Sequence, residues 1–196
     1  MPILARLHSE TRALHAQIEH NPRLCVLLKA QVTLADYVAT LQRLYGFYLP
    51  LETRLSAFPQ WARAGFDFNA RRKAELLKGD LRALGLDDQA IDSMPRCAAR
   101  PDLGDYAQAL GVMYVLEGAT LGGQVLAGAL QRRLGIDARS GAAFYNCYGL
   151  HASEKWQGLC ALLASVKWSA EDAAAAVQAA AATFQCLDNW LSEYSE

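Results

Sequence analysis

A long apolar stretch carrying glycines at helical spacing constrains this chain more than any other feature. From about Asp102 to Leu134 the residues read as one helix, with Gly135 as its stop. Gly104, Gly111, Gly118 and Gly122 lie seven, seven and four residues apart, roughly on one face. A glycine in a helix interior costs about 0.5–1 kcal/mol relative to alanine. Several on one face must be offset by close approach of another backbone, close approach of a flat ligand, or freedom to bend. Tight helix–helix packing is the plainer reading of the glycines alone. The opposite end of the chain bears on the choice.

Residues 3–20 form a second helical pattern, with Leu4, Leu7, Leu14 and Ile18 as its apolar stripe and Thr11 between them. Pro2 suits a first turn, and Asn21-Pro22 marks an end. His8 and His15 lie seven apart on the flank of the stripe, and Glu19 stands one turn beyond His15. A carboxylate that fixes the tautomer of a histidine is a recurrent metal-ligand arrangement, because it orients the ring and raises its basicity. An amphipathic helix with surface histidines explains His15 taken by itself.

The remaining segments are also helical in pattern. Thr33-x-x-Asp36 is a capping-box start for a helix to about residue 56, bent in its later part by Pro50. Residues 57–68 read as a connection, and Asn69 is placed to cap a helix ending near Gly85. A short helix follows Asp87-Asp88 and stops before Pro95. Residues 140–149 form a loop holding Phe144, Tyr145 and Tyr148. Two final helices start near Ala152 and at Ser169-x-x-Asp172. No strand alternation, linker or repeat interrupts this pattern, so the expected fold is all-α, one multi-helix domain over residues 1–196.

Composition narrows the function classes. A length of 196 residues suffices for one substantial core, and 53% hydrophobic with 20% charged residues argues against disorder. The formal net charge of −1 gives no global case for nucleic acid, though a local basic patch can still take an acidic ligand. No signal-peptide pattern opens the sequence, and no apolar run approaches about 20 residues, so no membrane span is expected. The five cysteines are scattered and form no CxxC pair, which suits reduced thiols in a cytoplasmic protein.

Three runs taken together resemble the haem (heme) oxygenase family, most closely its bacterial biliverdin-producing branch. They are Leu7-His8-Ser9-Glu10-Thr11-Arg12-Ala13-Leu14-His15, the later Gln31-Val32-Thr33, and Leu116-Glu117-Gly118-Ala119-Thr120-Leu121-Gly122-Gly123-Gln124. Leu44 to Glu52 and Arg72 to Leu81 resemble further family segments, so the likeness covers most of the chain. It implies haem bound between the N-terminal and glycine-bearing helices as substrate and prosthetic group. His15 matches the proximal iron ligand, and Glu19 the acid holding its other nitrogen. Gly118 and Gly122 match distal glycines that let backbone approach the porphyrin, and Tyr48 matches a tyrosine of the distal water network. Leu24, Leu27 and Phe184 match pocket-lining positions, each equally suited to plain core. His8 and Lys155 match basic residues near a propionate, with a solvated surface lysine the plainer reading of Lys155. His20, His151 and Tyr114 receive no role.

The implied reaction takes haem, O2 and reducing equivalents to biliverdin, carbon monoxide and ferrous iron. No nucleotide-binding fingerprint occurs here, so electrons would come from a ferredoxin or flavin reductase-type donor. A bilin-using photoreceptor or another biliverdin acceptor would take the product, unless iron acquisition is the purpose. Ala119 departs from the pattern: many relatives carry an aspartate there that organises proton delivery, although bacterial members also vary. Two other readings stay open. One is a haem-binding or sensing protein of the same fold without efficient turnover. The other is a helical enzyme of another kind, although a di-iron centre lacks its Glu-x-x-His pair, since none of the four histidines has glutamate three residues earlier.

Overall fold

The computed structural model describes residues 1–193, and every regular element among them is helical. In chain order these are α1 (Ile3–Glu19), α2 (Pro22–Cys25), α3 (Leu34–Leu55), α4 (Gln60–Arg63), α5 (Ala74–Ala83), α6 (Asp88–Asp92), α7 (Tyr106–Leu134), α8 (Ala152–Ser165) and α9 (Ala170–Ser192). Three short 3₁₀ turns, Val26–Leu28, Asn69–Arg71 and Gly149–His151, join them. The all-α expectation holds.

The helix starts follow from side-chain chemistry. Thr33 and Asp36 form a complete capping box on α3, and the Ser169 hydroxyl accepts from the Asp172 amide on α9. The glycine-bearing helix begins later than about Asp102, because Asp105 is its N-cap and forms a capping box with Gln108. The Gln108 carboxamide oxygen also accepts from the Gly104 amide at 2.6 Å, which keeps Gly104 outside the helix. Asn69 does not cap α5. The buried Glu52 carboxylate of α3 accepts from the Lys73 and Ala74 amides at 2.7 and 3.1 Å, so the cap comes from another helix. Residues 57–68 contain the one-turn α4, where Trp61 stacks on Phe68 and meets Tyr106 edge-on.

α7 is the spine of the bundle. It packs mainly on α9 and also on α8, while α1 packs on the same two helices and α3 on α5 and α9. Among the described residues α7 is the one helix long and apolar enough to cross a membrane, by length and composition only, against the expectation that no apolar run reached that size. More than half of its apolar window is buried against neighbours, as befits the core helix of a bundle. Close approach accounts for Gly111: a Cβ there would overlap the Ala176 carbonyl of α9 and stand 3.0 Å from the Ala176 Cα. The alanine-rich face of α9, with Ala173, Ala176, Ala179 and Ala180 buried, makes this approach possible. Gly122 differs, since a Cβ there would meet nothing within 4 Å.

These two glycines make a paired test. Gly111→Ala should lose about 1–3 kcal/mol through overpacking. Gly122→Ala should match the parent or gain up to about 1 kcal/mol from helix propensity. Urea denaturation of both variants measures the contrast, and equal losses would contradict the packing described.

Candidate functional site

α1 presents its histidine to solvent. The His15 side chain is 56% exposed, its Nδ1 lies 3.6 Å from the Glu19 carboxylate, and the Phe184 ring of α9 meets it edge-on at 5.7 Å between centroids. The 3.6 Å separation is too long for a good hydrogen bond and short enough for electrostatic orientation. With Nδ1 turned toward Glu19, Nε2 is the nitrogen left for a ligand. Phe184 belongs to the core, so the ring rests against a firm wall.

The end of α1 is held firmly as well. Asn21 accepts from the Arg23 amide as the cap of α2 and donates to Asp188 Oδ1 of α9 at 2.8 Å. Gln17 donates to the other oxygen of the same carboxylate at 2.6 Å. Leu24 is half-buried against the core, and Leu27 is wholly buried, its carbonyl accepting from Arg133 at the end of α7. His8 is exposed on α1.

On α7 the face from Gly118 to Val125 is open in an unusual way. Gly118 is half-buried under Trp156 of α8, whose ring would lie 3.6 Å from a Cβ added there. Ala119 and Gly122 are exposed, and Leu121 and Val125 are 43% and 64% exposed. Apolar side chains and bare backbone therefore share one outward surface of an otherwise buried helix, which fits a flat apolar ligand better than water. Lys155 is half-buried beside Trp156. Tyr48 comes from another helix: α3 buries it edge-on against Phe47 and Phe144. Burial holds its phenol well above the ordinary value, so it stays protonated.

Directly behind the glycines lies a cluster that the sequence reading passed over. The Glu117 carboxylate is fully buried and accepts from Arg71, from Lys73 Nζ at 2.6 Å and from the Tyr148 hydroxyl at 2.8 Å. Arg71 also donates to the Lys155 carbonyl on α8, and Lys73 to the Arg71 carbonyl. The signal was present. Helical periodicity puts Glu117 on the buried face with Met113 and Thr120, and a charge there demands partners, which the Arg71-Arg72-Lys73 run supplies.

Removing one member of a buried ion cluster leaves the others uncompensated, a loss of about 3–5 kcal/mol. Glu117→Ala should therefore destabilise the fold by that amount, whereas His15→Ala should stay within about 0.5 kcal/mol because its side chain is exposed. Thermal or urea unfolding of the two variants compares them directly.

Among the described residues no group of three histidine, cysteine, aspartate or glutamate side chains could hold a bare metal ion. A single exposed histidine suits a metal that brings its own planar ligands. Comparison with known proteins agrees in kind. The family model described as "Heme oxygenase" matches residues 1–193. A heme oxygenase from Xanthomonas campestris pv. campestris is 33% identical over 99 residues, covering 50% of this chain and 54% of that protein. The chain thus spans about half the length of the curated relative it matches. Among solved structures, the NO- and CO-bound heme oxygenase from Neisseria meningitidis superposes with a TM-score of 0.80 at 19% identity, over 97% of this chain and 90% of that one. The heme oxygenase from Leptospira interrogans gives 0.80 at 17% identity, over 99% and 100%. Heme oxygenase-1 from the cyanobacterium Synechocystis, in complex with heme, gives 0.73 at 14% identity, over 97% and 91%. At these identities the three likenesses establish the shared fold.

Proposed function

Because this chain belongs to the haem oxygenase family, we propose that it binds haem between α1 and the outward face of α7 and cleaves the macrocycle oxidatively. The products are biliverdin, carbon monoxide and ferrous iron. O2 is the oxidant, and electrons come from a separate ferredoxin or flavin reductase-type protein. The observation that carries this reading is the pairing of an exposed, carboxylate-oriented imidazole with a bare apolar helix face, on two helices braced by the same α8 and α9.

The residues divide the work as follows. His15 binds the iron through Nε2, while Glu19 steadies the ring from the Nδ1 side. Phe184 limits the tilt of the imidazole. Gly118 and Gly122 keep side chains off the opposite side, so that backbone and apolar surface confine the space where oxygen reacts. Bound haem supplies the redox-active iron and is itself the carbon framework attacked. His8 and Lys155 are basic side chains suited to the propionates. Leu24 lines the approach from α2, and Leu27 acts as core beneath it. Tyr48 remains a protonated hydroxyl on the α3 side of the distal network. The product passes to a biliverdin acceptor, and the reaction runs in the cytoplasm.

One feature favours a second reading, a haem-binding or sensing protein with poor turnover: the exposed methyl of Ala119 offers no proton relay on the distal face. Aerobic incubation with haem and a reductant separates the two. Loss of the Soret band with growth of bilin absorption supports cleavage, and a persistent Soret band supports binding alone.

Two substitutions test the assignment. His15→Ala should abolish normal ligation while leaving the fold intact, read as an altered haem absorption spectrum; an unchanged spectrum would refute the ligand role. Gly122→Leu should fold normally, since the site is open, yet reduce bilin formation by about 100-fold through misplacement of the reacting groups. Parental bilin output would remove Gly122 from the reactive face.

A further inference from the structure

Four elements converge on one carboxylate immediately behind the bare face of α7. Glu117 Oε1 accepts from Lys73 and Tyr148, and Oε2 accepts from Arg71. Lys73 opens α5, and Arg71 ends the preceding 3₁₀ turn. Tyr148 closes the loop before α8, and the Arg71 guanidinium reaches the Lys155 carbonyl in the first turn of α8 at 2.9 Å. Aromatic faces enclose the two cations: Arg71 lies over Phe66 at 4.6 Å, and Lys73 over Tyr148 at 5.3 Å. Glu52 of α3 holds the Lys73 and Ala74 amides from behind.

Such a cluster fixes a rotation. Successive residues of a helix turn by about 100°, so Gly118 stands about 100° from Glu117 and Gly122 about 140° from it. Glu117 cannot swing outward without stranding two buried cations. Pinning its carboxylate therefore holds Gly118 and Gly122 on the outward side. Thr120, one turn on, adds to the lock, because its hydroxyl donates to the Glu117 carbonyl at 2.7 Å. Packing restrains this stretch only from its buried side, where a Cβ on Gly123 would stand 3.2 Å from the Tyr145 carbonyl; the outward side has no partner at Gly122 and half-exposed side chains at Leu121 and Val125.

We propose that Glu117, with Arg71, Lys73 and Tyr148, is a positioning cluster that sets the rotational phase of α7 and thereby selects the ring position at which bound haem is cleaved. The selection rests on the haem oxygenase reading; the phase-setting does not. Tyr148 is the adjustable member. It is the sole uncharged donor to the carboxylate, and burial together with the Glu117 charge holds its phenol far above the ordinary value, so it donates throughout the physiological range. It ends the 141–148 loop, whose opposite end Asp80 anchors by accepting from the Ala143 and Phe144 amides, both at 2.8 Å.

The test uses Tyr148→Phe and Glu117→Gln in the full chain, with two readouts. In the absence of haem, hydrogen exchange of the amides between Gly118 and Leu126 should quicken severalfold in Tyr148→Phe and further in Glu117→Gln, beyond the change in the buried middle of α9, whose amides report the loss of global stability. With haem, O2 and reductant, both variants should keep the parental KM for haem, lose kcat by about tenfold or more, and yield a changed ratio of bilin isomers. Parental exchange rates and isomer ratio in both variants, even with a lowered melting temperature, would make the cluster merely structural and overturn the proposal. Should Glu117→Gln fail to fold, Tyr148→Phe decides alone. Should the parent yield no bilin, the haem oxygenase reading falls, while the exchange readout still decides whether the cluster sets the phase of α7.

Discussion

The close approach of α7 and α9 at Gly111 and Ala176 is the constraint on which the rest of the bundle depends. Two helices that touch backbone to backbone leave little room for side chains between them, so both must be small-residue helices there. α9 meets this demand with buried alanines, and α7 with glycine. The contact makes α9 a fixed platform, and α1 lies on that same platform. The imidazole of α1 and the bare face of α7 therefore owe their mutual geometry to a third helix.

Charge does in the second half of α7 what packing does in the first. Around Gly111 the neighbours are apolar, and shape alone fixes the helix. From Gly118 to Val125 the outward face is uncovered at Gly122 and exposed at Leu121 and Val125, so shape does not fix it from that side. A buried carboxylate with two cations and a phenol supplies the restraint from behind. Buried ion clusters are poor sources of net stability, because desolvation offsets most of the attraction. They are good at specifying one arrangement among several of similar packing energy, which is what a partly bare helix needs.

Much of this architecture is legible in the residues. The caps of α3 and α9 rest on local chemistry, Thr33 with Asp36 and Ser169 with Asp172, and both appear where the pattern puts them. The start of α5 was not legible as Asn69, because its cap arrives from Glu52 across the fold, and no local pattern records a partner 21 positions away. The start of α7 was misjudged by about one turn, since Asp105 competes with Asp102 as a cap and only the reach of Gln108 settles the choice. At the site, His15, Glu19 and the glycines stand out only through the family-like runs that hold them, since each alone has a plainer use. Glu117 did not stand out, although a charge in an apolar helical stripe is a strong sign of buried partners. Trp156 carries no signal of its own in the sequence, and its place over Gly118 depends on how α8 crosses α7, which sequence spacing does not encode.

The bonds that tie the first helix to the last join residues near opposite ends of the chain: Gln17 and Asn21 both grip Asp188, across separations of 171 and 167 positions. A growing polypeptide emerging from the ribosome makes its N-terminal segment first, yet that segment has no berth until the final helix has left the exit tunnel. The His15 ring thus gains its wall, Phe184, only after α9 has been made.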